Sequence, residues 1–134
     1  MTTKQRVARL GSALCFLVAV ATLPLGCSGE EAGKPTESVC PTTQTLTYEN
    51  FGQSFFDTYC QDCHGSTVTG ADRKHAPTDH VFDTVQQIRQ MHEHIDENAA
   101  GGPAAVNTIM PPEAPKPTEA QRRQLGEWLA CGAP

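Results

Sequence analysis

The chain has 134 residues, of which 38% are hydrophobic, with 15 acidic side chains against 10 basic ones and a formal charge of −5. That length leaves room for one domain once a leader is removed. The acid excess argues against nucleic acid as a partner, and no apolar run reaches the ~20 residues that a membrane-crossing helix needs.

At the start of the chain Lys4, Arg6 and Arg9 precede an apolar run from Leu10 to Leu25, which contains Gly11 and Ser12 and is broken by Pro24. A short apolar run behind a basic start predicts a signal peptide over 1–26. The segment Leu23-Pro24-Leu25-Gly26-Cys27 resembles the lipobox of bacterial lipoproteins, although Pro24 stands where that family carries an aliphatic residue. The resemblance implies cleavage before Cys27, acylation of its thiol and an exported, membrane-anchored protein facing the periplasm. Ser28 is compatible with sorting to an outer membrane. Losing the leader removes three basic residues and no acidic ones, leaving seven against fifteen, a charge of −8. Such a field favours redox or other partners with a basic docking face.

Residues 27–44 are Gly, Glu, Ser, Thr and Pro with little that is apolar, which predicts a flexible polar tether ahead of a domain over 45–134. Thr47 to Cys63 carries Phe51, Phe55, Phe56 and Tyr59, with apolar residues four apart and Thr47 available as a cap. It predicts a helix. Gly65 to Thr78 reads as a loop, punctuated by Gly70 and Pro77. From His80 to Asn98, the three-and-four spacing of Val81, Val85, Ile88, Met91 and Ile95 predicts a second amphipathic helix. Ala99 to Pro117 holds two Gly and five Pro and cannot sustain a regular element. A capping box at Thr118-Glu119-Ala120-Gln121 then opens a C-terminal helix with Leu125, Trp128 and Leu129 on one face. There is no internal repeat and no strand-like alternation, so the domain is expected to be all-α.

The strongest chemical signal is Cys60-Gln61-Asp62-Cys63-His64, the C-x-x-C-H pattern of c-type haem attachment. Two thiols three residues apart project from the same side of a helical turn and can reach two vinyl groups of one macrocycle. The adjacent imidazole then supplies an axial nitrogen to the iron. Three other readings compete. A thioredoxin-like redox pair wants a βαβ context, which is missing. A zinc site of Cys40, Cys60, Cys63 and Cys131 is disfavoured in an oxidising compartment. A Cys60 to Cys63 disulfide is the third.

From about Tyr48 onward the pattern resembles the small class I c-type cytochromes, whose haem motif lies near the domain's N-terminus. In that family a Gly eight residues and an aromatic four residues before the first haem Cys lie where the N- and C-terminal helices cross, and Gly52 and Phe56 occupy those positions. Leu125 and Trp128 match the apolar and aromatic pair of the family's C-terminal helix. A Gly lets two backbones approach while large rings fill the crossing. The resemblance implies three main helices wrapped around one covalently attached haem. It further implies that Pro77, thirteen residues beyond His64, offers its carbonyl to the proximal imidazole, with Ala76 where the family often has Gly.

For a sixth iron ligand the candidates are Met91, Met110, His75, His80, His92 and His94. Met91 falls on the apolar stripe of Val85, Ile88 and Ile95 and reads as core. His75 and His80 flank Pro77 in a polar stretch, and His92 and His94, two apart, point to different helix faces. His92 and Asp96 could share a face, where a solvated surface is the plain explanation. Met110 lies in Ile109-Met110-Pro111-Pro112, just before the C-terminal helix, and resembles the family's distal Met-Pro segment. The expected iron ligands are therefore His64 and Met110. A thioether favours ferrous iron and raises the reduction potential relative to a second His.

Cys40 and Cys131 are left over after haem attachment and lipidation, and an even pair in an exported chain predicts a disulfide. By chain entropy so long a loop is worth roughly 4 to 5 kcal/mol. The function expected is single-electron transfer through one haem c, with no enzyme chemistry and no small-molecule substrate evident. Two alternatives stay open: a haem sensor or gas-binding module with a displaceable sixth ligand, and a fixed haem subunit of a larger oxidoreductase.

Overall fold

The computed structural model describes residues 33–134. The expected signal peptide and the expected acylation site at Cys27 lie outside the described residues. Within them the chain is all-α, and no strand is present, only one isolated antiparallel bridge between Gly101 and Val106. The regular elements are a π-helical turn at Tyr48–Gly52, α1 at Gln53–Tyr59, α2 at Gln61–His64, a 3-10 turn at Gly70–Arg73, α3 at Val85–Gln90, α4 at His92–Ala99 and α5 at Glu119–Ala130.

The π-helical turn, α3 and α5 begin where a polar cap dictates. Thr47 Oγ1 accepts from the Asn50 amide at 3.3 Å, while Asn50 Oδ1 accepts from the Thr47 amide at 2.7 Å. This reciprocal cap satisfies two donors that a helix start leaves open. The first turn is wide, with the Gly52 amide reaching back to the Thr47 carbonyl at 3.2 Å. Gly52 has no room for a side chain, because a Cβ there would lie 2.7 Å from Trp128 Cζ2. The N-terminal helical run is not continuous to Cys63. It bends at Cys60, whose φ of −122° and ψ of −36° separate α1 from α2.

The second helical region starts at Val85 rather than at His80, since Thr84 and Gln87 form a capping box that fixes the entry point. It is interrupted at Met91, with φ −110° and ψ 15°, and resumes as α4. Ile88 and Ile95 still reach the core, and Met91 packs against it half-buried. In α5 the Thr118 and Gln121 box forms as its sequence predicts.

The core is an aromatic crossing between α1 and α5. Phe56, Leu125 and Trp128 are fully buried, and Phe56 lies 6.2 Å from Trp128 and 5.6 Å from Phe82 between ring centroids. The C-terminal carbonyl of Pro134 closes this corner, accepting from the Tyr48 amide at 2.6 Å and from Trp128 Nε1 at 3.3 Å. A disulfide joins Cys40 to Cys131 across 91 residues, with Cα atoms 4.7 Å apart.

The segment expected to be a loose tether is docked over its described part. Thr36 is completely buried, its hydroxyl donating to Asp96 Oδ1 at 2.6 Å and its amide to Asp96 Oδ2 at 2.8 Å. Asn107 exchanges hydrogen bonds with both backbone groups of Lys34. The expectation rested on a shortage of apolar side chains. Here polar pairing and the disulfide hold the segment from residue 33 onward against the helices instead.

Candidate functional site

A cleft of about 560 Å³ opens beside α1 and α2, within the roughly 300–1,000 Å³ range of small-molecule and cofactor sites. Phe55, Phe56, Tyr59, Ile95 and Ala99 give it apolar walls, and Cys60, Cys63, His64 and Met110 all border it. Gly52, Leu125 and Trp128 stand outside the lining; they build the helix crossing that positions Phe56 and, one turn further, Cys60.

The bend at Cys60 starts a new helical turn in which the His64 amide bonds to the Cys60 carbonyl at 2.9 Å. Both motif thiols are free and half-buried. Because Cys131 is bonded to Cys40, a four-cysteine zinc site is removed, and Cys60 and Cys63 are not bonded to each other. No cluster of three or more His, Cys, Asp or Glu that could hold a metal occurs among the described residues, so His92 and Asp96 gain no further donor. Burial pushes the Cys60 thiol up to about 12, against the opposing pull of the Arg122 cation. It is a protonated thiol at neutral pH.

His64 is fixed by its own neighbours. Its Nδ1 lies 2.9 Å from the His80 carbonyl, and its ring stacks on Phe82 at 4.7 Å between centroids. A carbonyl can only accept, which places the proton on Nδ1 and leaves the Nε2 lone pair available. Burial lowers the His64 pKa; the bond to His80 opposes this, and the His80, Arg73 and His94 charges add to the lowering. The imidazole is held neutral, the form that ligates iron.

The Pro77 carbonyl does not accept from His64. It takes Arg73 Nη2 at 2.6 Å, and the acceptor for the imidazole is His80, three residues later. Arg73, only 6% exposed, folds the loop around itself, with its guanidinium also bonded to the carbonyls of Gly65, Val68, Ala76 and His80. That arrangement consumes the Pro77 oxygen. Pro77 remains a lining residue of the cleft.

Met110 is half-buried, with its amide donating to the Asn98 carbonyl at 2.8 Å. Its own carbonyl accepts from Arg122 Nη1 at 2.8 Å, the same nitrogen that reaches the carbonyls of Ala99 at 2.7 Å and Asn107 at 2.8 Å. The thioether thus sits on a loop whose backbone is tied at two points. Of the other proposed sixth ligands, Met91 and His92 do not border the cleft, and His92 Nδ1 bonds the Arg89 carbonyl. His75, His80 and His94 do border it. His75 and His94 are exposed, and His80 is half-buried, its backbone carbonyl accepting from His64.

Arg73 and Arg122 are the site residues that sequence reasoning missed. Each has a basic head on an otherwise ordinary polar stretch, and nothing in periodicity marks it as buried. The described residues offer a free thiol pair, a neutral imidazole with one open nitrogen and a thioether around one apolar cleft. That donor set can attach a flat organic cofactor covalently and hold a soft or borderline metal at its centre. No family model matches the chain, and no curated protein or solved structure shows significant similarity to it.

Proposed function

We propose that this protein is a single-electron carrier, with one haem c bound through thioethers at Cys60 and Cys63 and its iron held by His64 and Met110. The observation that carries the reading is the gathering of those four side chains on one apolar cleft from segments as distant as 60 and 110 in the chain. The residues fit the group. Each free thiol can add its S–H across a vinyl double bond, sulfur to one carbon and hydrogen to the other, and the Nε2 of a neutral His64 is open for iron.

Bound haem supplies a reversible one-electron couple. The protein's part is to orient the imidazole through His80, to present the Met110 sulfur and to exclude water with Phe55, Phe56 and Ile95. A thioether ligand places the couple at the higher end of the haem range. This is the chemistry of class I cytochromes, which the sequence resembles around Gly52, Phe56 and the Leu125 and Trp128 pair.

The surface supports a basic partner. Residues 33–134 carry thirteen acidic and seven basic side chains, and two of the seven, Arg73 and Arg122, are buried. Docking to a basic face would speed encounter more than it would deepen affinity. The Cys40 to Cys131 disulfide supports an oxidising compartment, in keeping with an exported lipoprotein anchored at Cys27. No helix among the described residues is long and apolar enough to cross a membrane.

A redox titration followed by absorption spectroscopy tests the reading. The expected result is one reversible one-electron transition, a weak far-red band in the ferric protein and no carbon monoxide adduct in the ferrous protein. Ready carbon monoxide binding by the unmodified protein would reject the carrier in favour of a gas-binding module.

A further inference from the structure

The His80 carbonyl has two donors. His64 Nδ1 lies 2.9 Å from it and Arg73 Nη2 lies 3.1 Å from it. Arg73 is 6% exposed, all of its hydrogen bonds go to backbone carbonyls, and no carboxylate pairs with it among the described residues. A buried cation is costly to keep without an anion, and satisfying five loop carbonyls offsets that cost. Closing the 65–80 loop accounts for the bonds to Gly65, Val68, Ala76 and Pro77. It does not require the guanidinium to reach the one oxygen that the imidazole also uses.

We infer that Arg73 is a positioning residue that raises the reduction potential of the bound haem by competing with His64 for the His80 carbonyl. This rests on the haem reading above. A carbonyl acceptor on Nδ1 pulls the proton away from the ring and gives the imidazole anionic character, which stabilises ferric iron. A second, charged donor on the same oxygen draws its electron density away, weakens that pull and leaves the imidazole more neutral. A fixed positive charge that shares its acceptor oxygen with the proximal ring acts in the same direction, disfavouring the ferric state that carries the extra positive charge. Both effects have one sign: Arg73 favours the reduced protein.

Two variants separate the effects, read on haem-loaded full-length protein. Arg73→Gln removes the cation and most of the fork, and Arg73→Lys keeps the cation but cannot serve five carbonyls from one planar head. The potential is expected to fall in the order unmodified, Arg73→Lys, Arg73→Gln. The full step should be about a tenfold rise in ferric over ferrous protein at fixed ambient potential, equivalent to about 59 mV for one electron. In the ferrous proton spectrum the His64 Nδ1 proton should move downfield in the same order, as its bond to His80 strengthens.

A merely structural role for Arg73 lowers thermal stability while leaving both the potential and the Nδ1 proton where they were, and that result overturns the inference. A lower potential with an unmoved Nδ1 proton also overturns it, by assigning the effect to charge alone. If Arg73→Gln does not load haem, Arg73→Lys carries the comparison. An unmodified protein lacking covalent haem or a one-electron transition refutes the function proposed above, a failure visible before any variant is made.

Discussion

The two chain segments that meet at the cleft are held in opposite ways. The segment carrying His64 is tied by its near neighbours: Arg73 bonds carbonyls no more than eight residues away, and His64 reaches His80, sixteen residues on. The segment carrying Met110 is tied through other helices, since Asn98 of α4 and Arg122 of α5, each twelve residues from Met110, hold its backbone. In addition, Asn107 is bonded to Lys34, 73 residues upstream. His64 therefore needs one loop to be folded, whereas Met110 needs α5 and the N-terminal segment in place. Of the two proposed iron ligands, the one that depends on packing between helices should be lost first.

The largest effect should come from removing the proposed Met110 ligand itself. Met110→Ala should abolish the ferric far-red band and open the ferrous iron to carbon monoxide, while His94→Ala, which alters an exposed lining residue, should leave both unchanged. Absence of the band from the unmodified protein, with carbon monoxide binding opened by His94→Ala and not by Met110→Ala, would move the second ligand to α4 and dissolve the contrast.

Next in size should be Arg122→Met, which leaves three carbonyls without their shared donor inside the fold. An unsatisfied buried polar group costs about 1–3 kcal/mol. In a urea titration of this variant the far-red band should vanish at lower urea than the far-UV helical signal, so that the two transitions, closer together in the unmodified protein, separate. Coincident transitions in the variant would mean that the Met110 loop does not depend on Arg122 in particular.

A smaller effect should appear with acid. Burial lowers the pKa of both His64 and His80, the latter with a further push from His94. Below about pH 6.5 the unfolded chain binds protons at these positions that the folded chain refuses. Stability is thus fully present above that pH and is lost as pH falls through the window beneath it. The urea midpoint of the haem-free protein should fall between pH 7 and pH 5, and His80→Phe should flatten the fall. A midpoint that rises with acid would reverse the assigned sign.

The smallest effect should come from the Lys74 and Glu113 pair, at 2.6 Å, the one ion pair among the described residues that joins the His64 segment to the Met110 segment. Both side chains are at least half exposed. Solvent and salt screen such pairs strongly. Glu113→Gln should leave the melting temperature and the far-red band nearly unchanged, and any difference should disappear in high salt.

Much of this contrast was legible in the sequence on the local side. Cys60, Cys63 and His64 come to one cleft, as their short spacing leads one to expect, and the caps at Thr47 and at Thr118 with Gln121 are short-range patterns that formed. The Cys40 and Cys131 pair could be read from cysteine arithmetic. What sequence could not show is long-range polar pairing. Arg122 looks like one more charge on the solvent side of α5, yet it is 2% exposed because three loop carbonyls converge on it. Residues 33–38 look like linker because they lack apolar side chains, and they dock through Thr36, Asp96 and Asn107 instead. The exchange of Pro77 for His80 beside the imidazole has the same origin, since Arg73 claims the Pro77 oxygen first. The breaks at Cys60 and Met91 are departures from helical periodicity that an apolar stripe continues straight through.

Both halves of the comparison stand on the cofactor that the cleft is proposed to hold. The most direct test is the mass of the protein expressed in a cell able to attach haem and then fully denatured with its disulfide reduced. The account predicts a chain heavier by one haem, with the addition confined to the peptide bearing Cys60 and Cys63. A chain of unaltered mass whose Cys60 and Cys63 are both free to alkylate would contradict it.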